Sequence, residues 1–216
     1  MGGRGEEPVR ELGAQPEVVG AFWKGIDVLR PAALGYACYA AWERQEQMVR
    51  PEVAWVVLAV LGAWTAFLVV HRRRTLTLVV VELLLGAGAI LATRLVDSDA
   101  VIRGGSGTVP SFWVAAGVVS AAVLDGRRGG FLAALFIGVV DLVEVQDATA
   151  HTVYNIVLLL LIGTLIGYAV DLAREGHAKL GEALALQARV RERERLARTV
   201  HDGVLQTLAY IHRTGS

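Results

Sequence analysis

The 216-residue chain is poor in the residues that mark several common protein classes, and each shortage removes one of them. It has a single cysteine, Cys38, set in an apolar run, so an internal disulfide and a cysteine metal cluster are both excluded and the thiol reads as packing. Charged residues make up only 19% and the formal net charge is zero, which argues against a bulk nucleic-acid binder and against an acidic tail protein. The first twenty residues carry Gly, Glu, Arg and Pro without period. They lack the basic start, apolar middle and small-residue cleavage site of a signal peptide, and read as a loose tail.

What the chain has in excess is apolar surface. With 54% hydrophobic residues and a mean hydropathy of +0.49, it reads as a membrane protein with a soluble end. Residues 53–70 and 152–170 are free of charge, and each is long enough to cross a ~30 Å hydrocarbon core at 1.5 Å per residue. Weaker segments lie at 25–42, with Asp27 and Arg30 near its start, at 75–93, broken by Glu82, at 110–124, and at 129–145, with Asp141 and Glu144 near its end. Six candidate spans result.

Loop charge supports an even number of spans. The connections 71–74 and 125–128 hold Arg72, Arg73, Arg74, Arg127 and Arg128, whereas the alternate loops hold only Arg44, Arg50, Arg94 and Arg103 over a much longer stretch. Cytoplasmic loops carry the excess of Lys and Arg, so both termini are expected in the cytoplasm. Trp42, Trp55 and Trp113 fall near the outer ends, where belt aromatics belong. The fold expected is all-α: a polytopic six-helix transmembrane bundle over 25–170, preceded by a cytoplasmic tail over 1–24 and followed by a long cytoplasmic signalling helix.

After Val170 the composition changes abruptly. Residues 171–198 contain no proline and are rich in Ala, Leu, Glu and Arg, all strong helix formers. Leu186, Val190, Arg193, Ala197, Val200, Val204, Thr207 and Ile211 fall on alternating four- and three-residue steps, a heptad-like stripe imperfect at Arg193 and Thr207 that seeks a partner helix. The acids Glu192 and Glu194 interleave with the arginines of 189–198, which favours a solvated face over a DNA-reading helix. No direct nucleic-acid partner is expected.

Residues 192–208 run Glu-Arg-Glu-Arg-Leu-Ala-Arg-Thr-Val-His-Asp-Gly-Val-Leu-Gln-Thr-Leu. This run resembles the phosphoacceptor helix of histidine kinases related to the nitrate sensors, in which an Arg-rich approach precedes His-Asp, three residues and Gln. The upstream chain is similar to the six-span sensor region of actinobacterial MacS-type kinases, notably at Phe22-Trp23-Lys24-Gly25, at 92–97 (Ala-Thr-Arg-Leu-Val-Asp) and at 151–157 (His-Thr-Val-Tyr-Asn-Ile-Val). The resemblance implies a membrane sensor of a two-component system, divided into the span domain, a helical linker over 171–191 and the first helix of a dimerisation and phosphoacceptor domain over 192–216. It implies a homodimer, membrane lipid around the spans, and a response regulator with a receiver domain as partner. His201 becomes the phosphoacceptor, Asp202 the residue that orients its ring or takes a proton, and Gln206 the residue that positions water when the response regulator is dephosphorylated.

The residue types suit those roles. A neutral imidazole, with an unperturbed pKa near 6.5, is a competent nucleophile at pH 7, and at 100° per residue His201 falls at the edge of the apolar stripe. A carboxylate beside it can hold the second ring nitrogen. Gln206 stands four residues beyond Asp202, on the same face. A helical His followed by Asp is by itself an ordinary surface pair; the whole run is what distinguishes this one. The second bundle helix and the ATP-binding domain of such kinases are not expected among these residues. The chain is therefore expected to hold no cofactor and to be inactive alone, ATP and Mg belonging to that further domain.

Other residues stand out less. Glu82 is an ionisable group inside a span, where it is costly and by default marks function, the bland reading being a neutral acid facing a neighbouring helix. Asp141, Glu144, Asp147 and His151 gather towards the outer face and could bind a cation or a proton, or simply be solvated. Gly163-x-x-x-Gly167 allows close helix packing, including self-association of the last span. Gly104-Gly105-Ser106-Gly107 precedes no phosphate-binding lysine and reads as a turn. Two other classes remain open: a non-enzymatic membrane receptor or dimerisation module, and a small transporter, which the lack of internal repeats weakens.

Overall fold

The computed structural model describes residues 17–71, 74–98, 101–102, 107–145 and 149–214, with side chains described throughout except at 17–18 and 195–214. Arg72, Arg73, Arg103 and Asp147, used above for loop charge and the outer acidic group, lie outside these residues. The elements are α1 (Glu17–Arg44), a short 3-10 turn (Gln45–Gln47), α2 (Pro51–Val70), α3 (Leu76–Val96), α4 (Trp113–Val145) and α5 (Ala150–Thr214). No strand occurs among the described residues. The chain divides into two units, residues 1–173 and 174–216.

Local chemistry accounts for the boundaries. Pro51 opens α2 at a position where its missing N–H is not needed. Thr75 caps α3, its hydroxyl accepting from the Leu78 N–H at 3.5 Å. Arg94 donates to the carbonyls of Glu144 and Val143 at 2.8 and 2.9 Å, satisfying the last turn of α4 from a neighbouring helix.

Three helices, α2, α3 and the first part of α5, are long and apolar enough to cross a membrane. Among the described residues the chain is all-helical with five helices, which does not by itself support the expected six-helix bundle, and the reasons are local. The fourth and fifth expected spans correspond to the two helical halves of α4, which meet at a break at Asp125 and Gly126, where Gly126 takes φ +66° and ψ −149°. Residues 113–124 amount to roughly 18 Å of helix, short of a ~30 Å core. α1 carries Lys24, Asp27 and Arg30 within its first half. Within the stretch expected as a loose tail, the described residues are helical from Glu17, and Val19 and Trp23 are buried.

Within the first unit α1 packs on α2 and α4, and α3 on α2 and α4. One end gathers Val19, Trp23, Ile26, Val119, Val123 and Val170; the other gathers Ala41, Met48, Ala54, Val96 and Val109. Trp113, expected in an interfacial belt, is instead fully enclosed, its indole N–H donating to Thr65 Oγ1 at 2.9 Å. Many outward apolar side chains, among them Val56, Leu84, Leu132 and Leu165, remain exposed, as lipid-facing residues must. In the second unit the described side chains from Glu175 to Glu194 are exposed, including Leu186 at 64% and Val190 at 48%, so the start of the apolar stripe is uncovered.

Candidate functional site

Three features of the first unit join residues from distant parts of the chain. The first is a buried charge network. Arg30 on α1 donates from Nε to Glu82 Oε1 at 2.7 Å and from Nη2 to Glu82 Oε2 at 2.9 Å, a two-pronged pair with both side chains 1% exposed. The same Nη2 donates to Ser120 Oγ on α4 at 2.8 Å, and that hydroxyl donates onward to the Ala116 carbonyl at 2.7 Å. Arg30 Nη1 reaches Asp27 Oδ1 at 3.3 Å; Asp27 also pairs with Arg74, whose guanidinium lies 5.3 Å from the Trp23 ring centre. Glu82 is therefore not a lone acid: the arginine that begins the first expected span reaches across to it.

The second feature is the break in α4. Gly126 occupies a backbone region open essentially to glycine. A side chain there would also strike the Asp171 carboxylate, which accepts from the Arg127 N–H at 3.1 Å and so supplies a charge to the freshly started helix. The glycines of the last span complete the contact. A methyl group on Gly163 would strike the Gly130 carbonyl, and one on Gly167 would strike the backbone at Gly126 and Arg127. Two stripes of glycine, Gly126-x-x-x-Gly130 and Gly163-x-x-x-Gly167, meet in opposite directions, and the close partner of α5 is α4 of the same chain.

The third feature lies at the opposite end. Arg44 donates to Asp97 Oδ2 at 2.5 Å and to the Gly107 carbonyl. Burial pushes the Asp97 carboxyl above the ordinary carboxylate range, and Arg44 opposes that shift. Beside this group a cavity of about 420 Å³ opens between α1, α3, α4 and α5, with Asp141, His151 and Asn155 in its wall. Glu144 is buried one turn further along but does not line it. Among the described residues no group of three or more His, Cys, Asp or Glu side chains could hold a metal ion.

A family described as a family of unknown function, DUF5931, matches residues 14–181. The chain belongs to this family. No curated protein matches the chain, and no solved structure does. The DUF5931 match covers α1 to α4 and the first part of α5, hence all three features above; the run around His201 lies past it. His201, Asp202 and Gln206 fall on α5, where the backbone is helical, and their side chains lie outside the described ones.

Of the residues singled out from sequence, Glu82 is joined to Arg30 and Ser120, Gly163 and Gly167 to α4, and Asp141 to the cavity. Arg30, Ser120, Gly126 and Asp171 were missed as site residues. Arg30 carried one available signal: a second buried-span charge of opposite sign to Glu82.

Proposed function

We propose that the chain is the sensory and phosphoacceptor portion of a membrane histidine kinase, with His201 passing phosphate to the receiver domain of a response regulator. The observation that carries this reading is the run 192–208, in which His-Asp-x-x-x-Gln follows an Arg-rich approach on a helix that continues the last apolar span. Asp202 orients the imidazole and Gln206 positions water for dephosphorylation. The exposed Leu186 and Val190 support a homodimer formed along α5, with the nucleophile at the edge of the seam.

The DUF5931 unit acts in this reading as the sensor, multi-pass in the cell membrane with both termini cytoplasmic. Six crossings follow if the break at Asp125–Gly126 is a cytoplasmic turn, residues 107–112 completing the short fourth crossing; the arginines at 72–74 and 127–128 support that side. Asp171 then stands where α5 leaves the membrane, gripping the turn that joins the fourth and fifth crossings. A shift of either helix would be felt at the start of the signalling helix.

The test supplies the catalytic domain of a related kinase together with ATP and Mg. His201 is expected to take an acid-labile phosphate, and the chain incubated with ATP alone to take none. Tags at Met1 and Ser216 are expected on the cytoplasmic side; an external tag would overturn the six-crossing arrangement. If no phosphate reaches His201, the chain is a membrane receptor module without a phosphoacceptor role.

A further inference from the structure

The cavity between α1, α3, α4 and α5 has two chemically different ends. Gly107, Thr108 and Ser111 from the segment before α4, Asp141 near the end of α4, and His151 and Asn155 from the first turns of α5 make one end polar. Ile90, Ile137, Leu159 and Ile162, deeper along their helices, make the other apolar. Tyr36 and Phe112, edge to face with centroids 5.4 Å apart, form an aromatic wall. At about 420 Å³ the space is within the range of small-molecule sites.

Charge selects the ligand. Asp141 is half-buried and makes no hydrogen bond or ion pair among the described residues. Asn155 Nδ2 lies 3.3 Å from His151 Nδ1 in the same wall. Among the described residues that line the cavity, Asp141 is the carboxylate and none is Lys or Arg. Ser111, beside it, holds φ +46°, the left-handed value found at no other described non-glycine residue. Such strain persists where the surroundings hold it in place, and binding sites are where it gathers.

We infer that this cavity binds a small amphipathic cation, its ammonium group on Asp141 and its apolar body between the aromatic wall and the isoleucines. A carboxylate that makes no hydrogen bond or ion pair among the described residues, beside an apolar pocket, favours such a ligand over an anion or a neutral molecule of the same shape. Phe112 and Tyr36 add faces that attract a cation.

The experiment uses the full chain in phosphatidylcholine and phosphatidylglycerol nanodiscs with three probes of one shape: phenethylamine, phenethyl alcohol and hydrocinnamate. Phenethylamine is expected to bind saturably and more tightly than the alcohol, and hydrocinnamate not at all. Asp141→Asn is expected to weaken the amine about tenfold, as loss of a charge-assisted hydrogen bond would, and to leave the alcohol unchanged; Asp141→Glu should restore part of the loss. Matching circular dichroism and melting would show that the Asn variant folds. Equal binding of amine and carboxylate, an unchanged amine affinity in Asp141→Asn, or a phospholipid held in the cavity that the amine does not displace would each overturn the inference. Binding is read directly, so its outcome is independent of whether His201 takes phosphate.

Discussion

Glu82 and Asp141 are both acids in apolar helices, and the structure treats them oppositely. Glu82 is 1% exposed and held by both prongs of Arg30, which in turn is tied to Ser120 and Asp27. Asp141 is half-buried in the wall of a cavity that it shares with His151, and makes no hydrogen bond or ion pair among the described residues. A charge that is fully paired belongs to the architecture, because removing one member strands the other in a low dielectric. A charge left unpaired next to open space is available to a ligand. One membrane unit thus holds acids of both kinds: Glu82 locked by Arg30, and Asp141 facing open space.

Breaking the locked pair should have the largest effect. Glu82→Leu leaves the Arg30 guanidinium buried without its counter-ion and is expected to lower stability by about 3–5 kcal/mol, whereas Arg30→Met with Glu82→Leu should regain most of it. Unfolding in mixed micelles checks this, and additive losses would show that the pair is not coupled. Glu82→Gln, harmless if Glu82 were a lone neutral acid, should be destabilising too.

The glycine contact comes next. Gly167→Leu forces the α4 backbone at Gly126 and Arg127 away, and is expected to cost about 1–3 kcal/mol or more in overpacking. Gly126→Ala adds the strain of its positive φ and a collision with Asp171. Proteolysis rates in membranes would register both; a wild-type rate for Gly167→Leu would mean that α5 does not lie on α4.

Asp171→Ala should be milder, about 0.5–2 kcal/mol, the usual range for losing a carboxylate at a helix start. Hydrogen exchange at Arg127 is the appropriate probe, since its N–H loses its acceptor. Asp141→Asn, on the cavity wall, should change stability by no more than about 0.5 kcal/mol. A large loss there would erase the contrast between the two acids.

Sequence made some of this legible. Unbroken apolar runs at 53–70 and 152–170 returned as α2 and the start of α5, because length and lack of charge suffice for a helix in that setting. Glu82 stood out because a charge in an apolar run is conspicuous, but its partner did not, since Arg30 is 52 positions away and looked like a residue at the mouth of a span. The glycine spacing of α5 signalled close packing without saying against what; of the matching stripe, Gly126 fell in the basic connection 125–128 and Gly130 in the span 129–145, so the pairing was not seen. Trp113 was misplaced at an interface because its neighbours in sequence are loop-like, whereas its indole is enclosed among Ala33, Leu61 and Ala89 from three other helices. Of the cavity only Asp141 and His151 stood out, as acid and histidine near the outer face; the rest left no pattern, because its wall combines single residues from separate helices.

The His201 run is the reverse case, legible only in sequence, so its test must identify the modified atom. With the catalytic domain of a related kinase, ATP and Mg supplied to the full chain in nanodiscs, the phosphate should be mapped by mass spectrometry under non-acidic conditions. The expected result is phosphate on His201 and on neither His177 nor His212, lost in His201→Ala, slowed in Asp202→Asn and retained in Gln206→Ala. Phosphate that survives acid, or that remains in His201→Ala, would contradict the account.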